Sequence, residues 1–248
     1  MGFLEDRKKR KICIWIASVF LVIAIVIGAC AIYLGDYYRA DMKAIKNFET
    51  RFEYEHKMLN GNMIFEPDDA AAGFIFYPGG KVEFTAYIPL MMACASNGIL
   101  CVLVEMPFNI AIFNGDAAEG IKENYPEIEH WYIGGHSLGG YMAADYLGER
   151  ADEYDGLVLL AAYSGVDLSG TELEVLSVYG SNDGVMNSKR YEEGRANLPT
   201  DFKEVVLDGG CHAYFGMYGA QSGDGIPDMT NEEQINLTAS IVAEFVFE

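Results

Sequence analysis

Residues 131–140 read WYIGGHSLGG, and this stretch decides the predicted fold. Its first three residues are apolar and predict a short buried strand, while residues 138–149 predict a helix. Between them lies a G-x-S-x-G pattern, Gly135-His136-Ser137-Leu138-Gly139. Glycines at such a junction permit a tight turn that lifts the Ser137 hydroxyl clear of the sheet, and the helix start behind it favours negative charge. We therefore expect Ser137 to be a nucleophile.

Apolar runs that predict buried strands alternate with helical stretches along the rest of the chain. Strands are predicted at 73–77, 99–104, 157–161, 175–179 and 204–207, and helices at 84–96, 117–124, 188–197 and 231–247. A helix over 36–52 and a hairpin with strands at 52–55 and 63–65 precede them. Continuous Val, Ile and Leu strands, each followed by a helix, predict an α/β fold with a mostly parallel central sheet and helices on both faces. The sequence contains no linker to a second domain, so residues 35–248 are predicted to form one catalytic domain.

The chain is strongly acidic. Its 248 residues include 37 Asp and Glu against 17 Lys and Arg, which gives a net charge of −20. Nucleic acid is therefore excluded as a partner, because phosphate binding requires clustered basic residues. Hydrophobic residues make up 51% of the chain, enough for a large core, so a disordered protein is excluded as well.

Residues 12–34 predict a membrane anchor, because none of these 23 residues is charged and a helix of about 20 residues crosses a bilayer. The basic run at residues 7–11 predicts that residues 1–11 form a cytoplasmic tail and that residues 35–248 lie outside the cytoplasm. The protein is thus expected in the cell membrane, as a single-pass protein in contact with the lipid bilayer through residues 12–34. Residues 27–30 also resemble a bacterial lipobox, and this leaves open a second interpretation in which Cys30 is lipidated after cleavage.

The remaining cysteines, Cys94, Cys101 and Cys211, are odd in number and lack metal-ligand spacing. They are expected to be small core residues, with a Cys94–Cys101 bridge left open. No metal and no cofactor is predicted, and the sequence assigns no oligomeric state.

A serine nucleophile needs a base, and the chain contains only four histidines. His136 is adjacent to Ser137, His56 falls in the hairpin and His130 precedes a strand, so all three are interpreted as structural or surface residues. His212 instead follows the last predicted strand on a glycine-rich turn, at the sheet edge where catalytic groups collect in open α/β sheets. His212 is therefore the predicted base.

The base in turn needs an acid to orient it, and Asp183 follows the preceding predicted strand in the loop 180–184. The chain order Ser137, Asp183, His212 is the order expected for this architecture. Asp208 and Asp155 are poorer candidates for the acid.

The tetrahedral intermediate also needs hydrogen-bond donors for its oxyanion. The backbone N–H of Leu138, directly after the nucleophile, is the first predicted donor. The second is expected in the loop Pro78-Gly79-Gly80-Lys81, where the position relative to the strand end favours Gly80, with Lys81 as the alternative.

The motifs at 76–82, 106–109, 134–140, 179–184 and 209–212 together resemble the α/β-hydrolases, in particular the small, lidless group related to dienelactone hydrolases and bacterial carboxylesterases. The resemblance implies a Ser-His-Asp hydrolase that works through an acyl-enzyme. Two departures stand out. Dienelactone hydrolases use cysteine where this chain has Ser137, and the usual His-Gly before the oxyanion residue is here Pro78-Gly79.

The predicted substrate is a small-molecule ester with a small or medium acyl group. The walls of its cleft are expected from 106–113 and 213–229, with Phe108, Tyr214 and Phe215 as substrate-binding residues, and Gly223-Asp224-Gly225 is interpreted as a turn. The sequence thus predicts a membrane-anchored, extracytoplasmic serine carboxylesterase. Two alternatives stay open: another triad hydrolase (a lipase, peptidase or acyltransferase), or a catalytically silent binding or scaffold protein that keeps the fold.

Overall fold

The structure is a computed structural model that describes residues 2–52 and 56–248. Its two compact units divide between Tyr37 and Tyr38. The first unit consists of one helix, α1 (Gly2–Gly35). Within it, the 26 residues Arg10–Gly35 are long and apolar enough to cross a membrane, as a membrane anchor or a signal sequence would be.

The second unit contains an eight-stranded sheet and its helices. The strands are β1 (Lys57–Leu59), β2 (Asn62–Phe65), β3 (Ala72–Tyr77), β4 (Ile99–Leu103), β5 (Trp131–His136), β6 (Gly156–Leu160), β7 (Glu174–Gly180) and β8 (Lys203–Leu207). The helices are α2 (Met42–Glu49), α3 (Ile88–Ala95), α4 (Leu138–Leu147), α5 (Ser188–Gly194) and α6 (Asn231–Val246).

The strand order in the sheet is β1-β2-β4-β3-β5-β6-β7-β8. Only the pairs β1–β2 and β2–β4 are antiparallel. The strands from β4 to β8 are parallel, and Gly135 of β5 is in register with Tyr77 of β3 and Leu159 of β6. The carboxyl ends of β3, β5, β6 and β7 therefore lie along one edge of the sheet, and the loops that follow them meet there.

Both faces of the sheet are buried. Alternate residues of β3 point to opposite sides: Phe74 and Phe76 join a core with α2, α3 and α6, and Ile75 and Tyr77 join a second core with α4. This alternation follows from the two-residue repeat of a strand, and burial on both sides accounts for the continuous apolar runs in the sequence. The predicted parallel sheet with helices on both faces is confirmed.

Some local elements differ from the prediction. The helix expected at 117–124 is replaced by turns and the short 3₁₀ helix Lys122–Asn124, because Gly120 adopts a positive φ of 74° that interrupts helical structure. The helix expected over 36–52 is shorter, since α2 begins where the Asp41 carboxylate accepts the N–H groups of Lys43 and Ala44.

The expected hairpin turn at Asn60-Gly61 is confirmed, with positive φ at both residues. The strand predicted at 52–55 includes residues 53–55, which lie outside the described residues. Cys94 and Cys101 are buried free thiols, so the bridge left open by the sequence is not formed.

Candidate active site

Ser137 occupies a strained turn between β5 and α4. Its φ of 53° and ψ of −119° lie in a region that residues other than glycine rarely adopt, and it is the residue directly before the first turn of α4. The turn packs tightly against β3, since a Cβ atom on Gly139 would lie 2.1 Å from the carbonyl oxygen of Tyr77. Glycine is therefore required here, and the tight packing holds the half-buried Ser137 side chain at the carboxyl edge of the sheet.

His212 and Asp183 form a buried pair at the same edge. The Nδ1 atom of His212 lies 2.8 Å from Oδ2 of Asp183. The other carboxylate oxygen of Asp183 accepts the backbone N–H groups of Val185 and Met186, each at 2.8 Å. Because both oxygens are engaged, the carboxylate is fixed in one orientation toward the imidazole.

The remaining imidazole nitrogen is free to take a proton. In the described part of the chain, Nε2 of His212 has no hydrogen-bond partner, so no hydrogen bond joins it to the Ser137 hydroxyl. Since Nδ1 faces the Asp183 carboxylate, the neutral ring carries its proton there and presents an unprotonated Nε2. A base and an alcohol in these states are what nucleophilic catalysis by serine requires.

The loop after β3 contains Gly80 and Lys81, the two candidates for the second oxyanion donor. The backbone N–H of Lys81 donates to the carbonyl of Asn109 at 2.7 Å, so it is already occupied. Gly80 packs directly on Leu138, because a Cβ atom at Gly80 would lie 2.7 Å from the Leu138 side chain. Across residues 2–52 and 56–248, the N–H groups of Gly80 and Leu138 have no acceptor. Both N–H groups are thus available to a ligand.

His136 is buried behind the pair and connects it to the oxyanion loop. The backbone N–H of Gly79 donates to the Tyr87 hydroxyl at 3.0 Å, and this hydroxyl lies 2.7 Å from Nδ1 of His136. The His136 and His212 rings have centroids 4.6 Å apart. Burial, together with the neighbouring His212, lowers the pKa of His136 well below its ordinary value. His136 is therefore held in its neutral form, with Nδ1 in hydrogen-bond contact with the Tyr87 hydroxyl.

Asp224 connects the loop that contains Asp183 to the loop that contains His212. Its Oδ1 accepts the N–H groups of Gly184 at 3.2 Å, His212 at 3.1 Å and Gly225 at 2.9 Å, and its Oδ2 accepts that of Ala213 at 2.8 Å. Burial alone would raise the pKa of Asp224, but these four hydrogen bonds outweigh it and hold the pKa below its ordinary value. The interpretation of residues 223–225 as a simple turn missed these long-range contacts.

A cleft of about 320 Å³ opens at Ser137. Its walls include Leu138, Tyr141, Ala162, Tyr163, Met186 and Arg190.

None of the three predicted substrate-binding residues is among those that line this cleft. Phe215 is fully buried, with its ring 5.5 Å from that of His136. Phe108 is 60% exposed, packs against Phe113 and lines a separate cavity of about 450 Å³. Tyr214 is half-buried against the core, and Asn231 holds its carbonyl.

The other candidate ligands and acids lie elsewhere. Asp155 accepts the Trp131 N–H at 2.7 Å and contacts Nδ1 of His130 at 3.0 Å, so it is engaged at the opposite end of β5. Among the described residues, no group of three or more His, Cys, Asp or Glu side chains is arranged to hold a metal ion.

The fold and the serine turn define the class of protein. Residues 73–236 match the model of the alpha/beta hydrolase family, which covers more than half of the chain. The chain belongs to the α/β-hydrolase family. No curated protein matches the sequence.

Solved structures show the same fold at low sequence identity. TT1662 from Thermus thermophilus is 13% identical, with a TM-score of 0.57 over 79% of this chain and 100% of that one. A dienelactone hydrolase from Anabaena variabilis is 13% identical, with a TM-score of 0.56 over 78% and 97%. A monoacylglycerol lipase from Paleococcus ferrophilus is 12% identical, with a TM-score of 0.57 over 77% and 100%. This likeness supports the α/β-hydrolase fold of the chain.

Proposed function

We propose that the protein is a serine hydrolase that cleaves small or medium acyl esters through an acyl-enzyme, with Ser137, His212 and Asp183 as its catalytic residues. The observation that carries this proposal is the buried His212–Asp183 pair, joined at 2.8 Å, at the same sheet edge as a serine held on a strained turn. Membership of the α/β-hydrolase family supports it.

In the first half-reaction, Ser137 Oγ attacks the ester carbonyl carbon while Nε2 of His212 takes the hydroxyl proton. Asp183 keeps the proton on Nδ1 and stabilises the imidazolium. The N–H groups of Gly80 and Leu138 donate to the oxyanion. When the carbonyl re-forms, the ester C–O bond breaks and His212 gives its proton to the departing alcohol, which leaves an acyl group on Ser137.

The second half-reaction repeats the first with water. His212 takes a proton from the water as its oxygen attacks the acyl carbon, and a second tetrahedral intermediate forms in the same oxyanion site. Its collapse breaks the bond to Oγ, and His212 returns the proton to Ser137. The products are the carboxylic acid and the regenerated serine.

The dimensions of the cleft support an ester of modest size. About 320 Å³ lies at the lower end of the range for small-molecule sites, and Ala161 and Ala162 leave room beside Ser137. The structural neighbours include proteins described as a dienelactone hydrolase and a monoacylglycerol lipase. An ester is therefore the substrate class that we assign.

We further propose that α1 anchors the protein in the cell membrane, with residues 1–11 cytoplasmic and the catalytic unit outside. The apolar length of Arg10–Gly35 and the basic residues before it support this orientation. Protease added to intact cells should digest the catalytic unit, with a cytoplasmic protein as the protection control. Digestion only after the cells are permeabilised would contradict the orientation.

The enzymatic proposal is tested with the full chain in detergent and a series of p-nitrophenyl esters of increasing acyl length. We expect turnover that declines once the acyl group exceeds the cleft, and loss of turnover in Ser137→Ala. Ser169→Ala is the matched control, since Ser169 lies in an exposed loop that contacts Asp167. Equal turnover by Ser137→Ala and Ser169→Ala would refute the assignment.

A further inference from the structure

The cleft at Ser137 has one charged residue in its wall, Arg190 of α5. The backbone of Arg190 is well held, because its N–H donates to the side chain of Asn187 at 3.0 Å at the start of the helix. Asn187 itself lines the cleft. The position of the arginine at the rim is therefore set by the helix cap rather than by a flexible loop.

Unlike the basic residues near it, Arg190 has no ion-pair partner in the described part of the chain. In the same region Lys189 pairs with Glu193 and Arg195 pairs with Glu204. No carboxylate lies within ion-pair distance of Arg190 in the described part of the chain. In a protein with 37 acidic against 17 basic residues, a cationic side chain at the cleft thus keeps its charge available for a ligand.

A tyrosine hydroxyl stands beside the guanidinium. Tyr163 lines the same cleft as Arg190, and the interaction with its hydroxyl raises the pKa of the arginine above its ordinary value. Tyr163 in turn packs edge-on against Tyr141, another residue of the cleft, with ring centroids 5.9 Å apart. A guanidinium has five N–H donors, more than a single tyrosine hydroxyl can engage, so several remain for a carboxylate, whose two oxygens match the guanidinium fork.

We propose that Arg190 and Tyr163 form an anion-binding end of the cleft, and that the preferred substrates are esters carrying a carboxylate group in addition to the ester bond. This inference rests on the proposed serine hydrolase activity and specifies its substrate class. The net negative charge of the protein does not oppose it at short range, because charges beyond about 8 Å are largely screened at physiological ionic strength. Among the residues that line the cleft, Arg190 is the one that carries a charge.

The test compares matched ester pairs that differ only in a terminal carboxylate. On the acyl side, mono-p-nitrophenyl glutarate is compared with p-nitrophenyl pentanoate; on the alcohol side, 4-acetoxybenzoate is compared with 4-methylphenyl acetate. The full chain in detergent is assayed as wild type, Arg190→Gln and Lys189→Gln. Lys189→Gln is the matched control, because it removes the same charge from the adjacent position of the same helix but lies outside the cleft wall.

We expect Arg190→Gln to lower the ratio of kcat/KM for the anionic ester to that for its neutral partner by about 10-fold or more in at least one pair. Most of the change should appear in KM, since the carboxylate lies away from the reacting carbon. Lys189→Gln should leave both ratios unchanged. An Arg190→Gln ratio equal to that of wild type in both pairs would overturn the inference.

Failure of the inference and failure of the proposed function give different results. If the wild type hydrolyses the neutral esters and Arg190→Gln does so at the same rate, the active site is intact and the ratios alone decide the role of Arg190. If the folded wild type hydrolyses none of the four esters, the serine hydrolase proposal fails, and the substrate class assigned to Arg190 fails with it.

Discussion

The Nδ1 atom of His212 lies 2.8 Å from Oδ2 of Asp183, and the two side chains are only 1% and 2% exposed. A charge-assisted hydrogen bond in such surroundings is stronger than one in water. Its geometry determines which nitrogen of His212 carries the proton, and therefore whether the other nitrogen can act as a base.

Asp183→Asn is expected to lower kcat by roughly 10⁴-fold, the effect of the equivalent change in a well-studied protease. The amide oxygen would keep the bonds from Val185 and Met186, so its NH₂ group would face His212. His212 would then carry its proton on Nε2 and could not accept one from Ser137. Asp208 is exposed and was the weaker candidate for the acid, so Asp208→Asn should retain wild-type kcat. Loss of kcat in Asp208→Asn, with wild-type kcat in Asp183→Asn, would instead assign the acid to Asp208.

Asp224→Ala is expected to lower kcat by about 10²-fold with little change in KM, because small displacements of catalytic groups have effects of this size. The variant removes the acceptor shared by Gly184 and His212, which sets the spacing of the two loops. Asp167→Ala is the control, since Asp167 accepts a comparable backbone bond from Ser169 in an exposed loop.

A second readout separates positioning from a loss of folding in Asp224→Ala. The proton between His212 and Asp183 should give a low-field proton NMR signal in the wild type, which shifts or vanishes in Asp224→Ala while circular dichroism stays native. A wild-type kcat and an unchanged signal would show that Asp224 does not position the pair.

The sequence was sufficient to predict where the candidate residues lie, because local patterns encode their placement. Ser137 is marked by glycines at a strand–helix junction, and Asp183 and His212 follow from the rule that loops after parallel strands share one edge. The strands themselves were predictable because burial on both faces leaves long apolar runs.

The contacts that surround these residues were not predictable, because they join segments that are distant in the chain. From the sequence, Asp224 is predicted to lie in a glycine-rich turn. Its partners are backbone N–H groups, and every residue type except proline has one, so the sequence does not indicate which of them Asp224 contacts. The Tyr87–His136 hydrogen bond links positions 49 residues apart. The aromatic residues at 213–218 were expected to face the substrate, but the 3₁₀ turn Ala213–Phe215 directs Phe215 into the core.

Gly139→Ala is expected to destabilise the protein by about 2 kcal/mol or more, because the added methyl group would meet backbone oxygens of Tyr77 and Pro78 at 2.1 and 2.3 Å. Backbone atoms of β3 cannot move aside as a flexible side chain would. Gly170→Ala is the control, since a Cβ atom there would meet nothing within 4 Å. Equal urea midpoints for the two variants would show that the serine turn is looser than described.

Because His136 is buried and neutral, the free energy of unfolding is expected to fall as the pH drops. Its folded-state pKa lies well below the ordinary 6.5, so the unfolded chain takes up a proton below pH 6.5 that the folded protein does not. Stability is therefore fully present above pH 6.5 and falls as the pH drops, by up to about 1.4 kcal/mol per pH unit from this group.

Urea unfolding at pH 7.5 and 5.5 measures this dependence, and His136→Gln should flatten it. His130 is the control with the opposite sign, because its hydrogen bond to Asp155 raises its pKa and its contribution is lost as the pH rises. His130→Gln should therefore leave the loss of stability at low pH in place. A His136→Gln variant with the wild-type pH dependence would contradict a buried, neutral His136.

The most direct test of the account is to label the folded full chain with a fluorophosphonate probe and locate the modified residue by mass spectrometry. The account predicts a single adduct on Ser137, formed rapidly by the wild type and by Asp208→Asn but far more slowly by Asp183→Asn, because the probe reacts only with a serine activated by His212. A folded protein that forms no adduct, or an adduct on a serine other than Ser137, would contradict it.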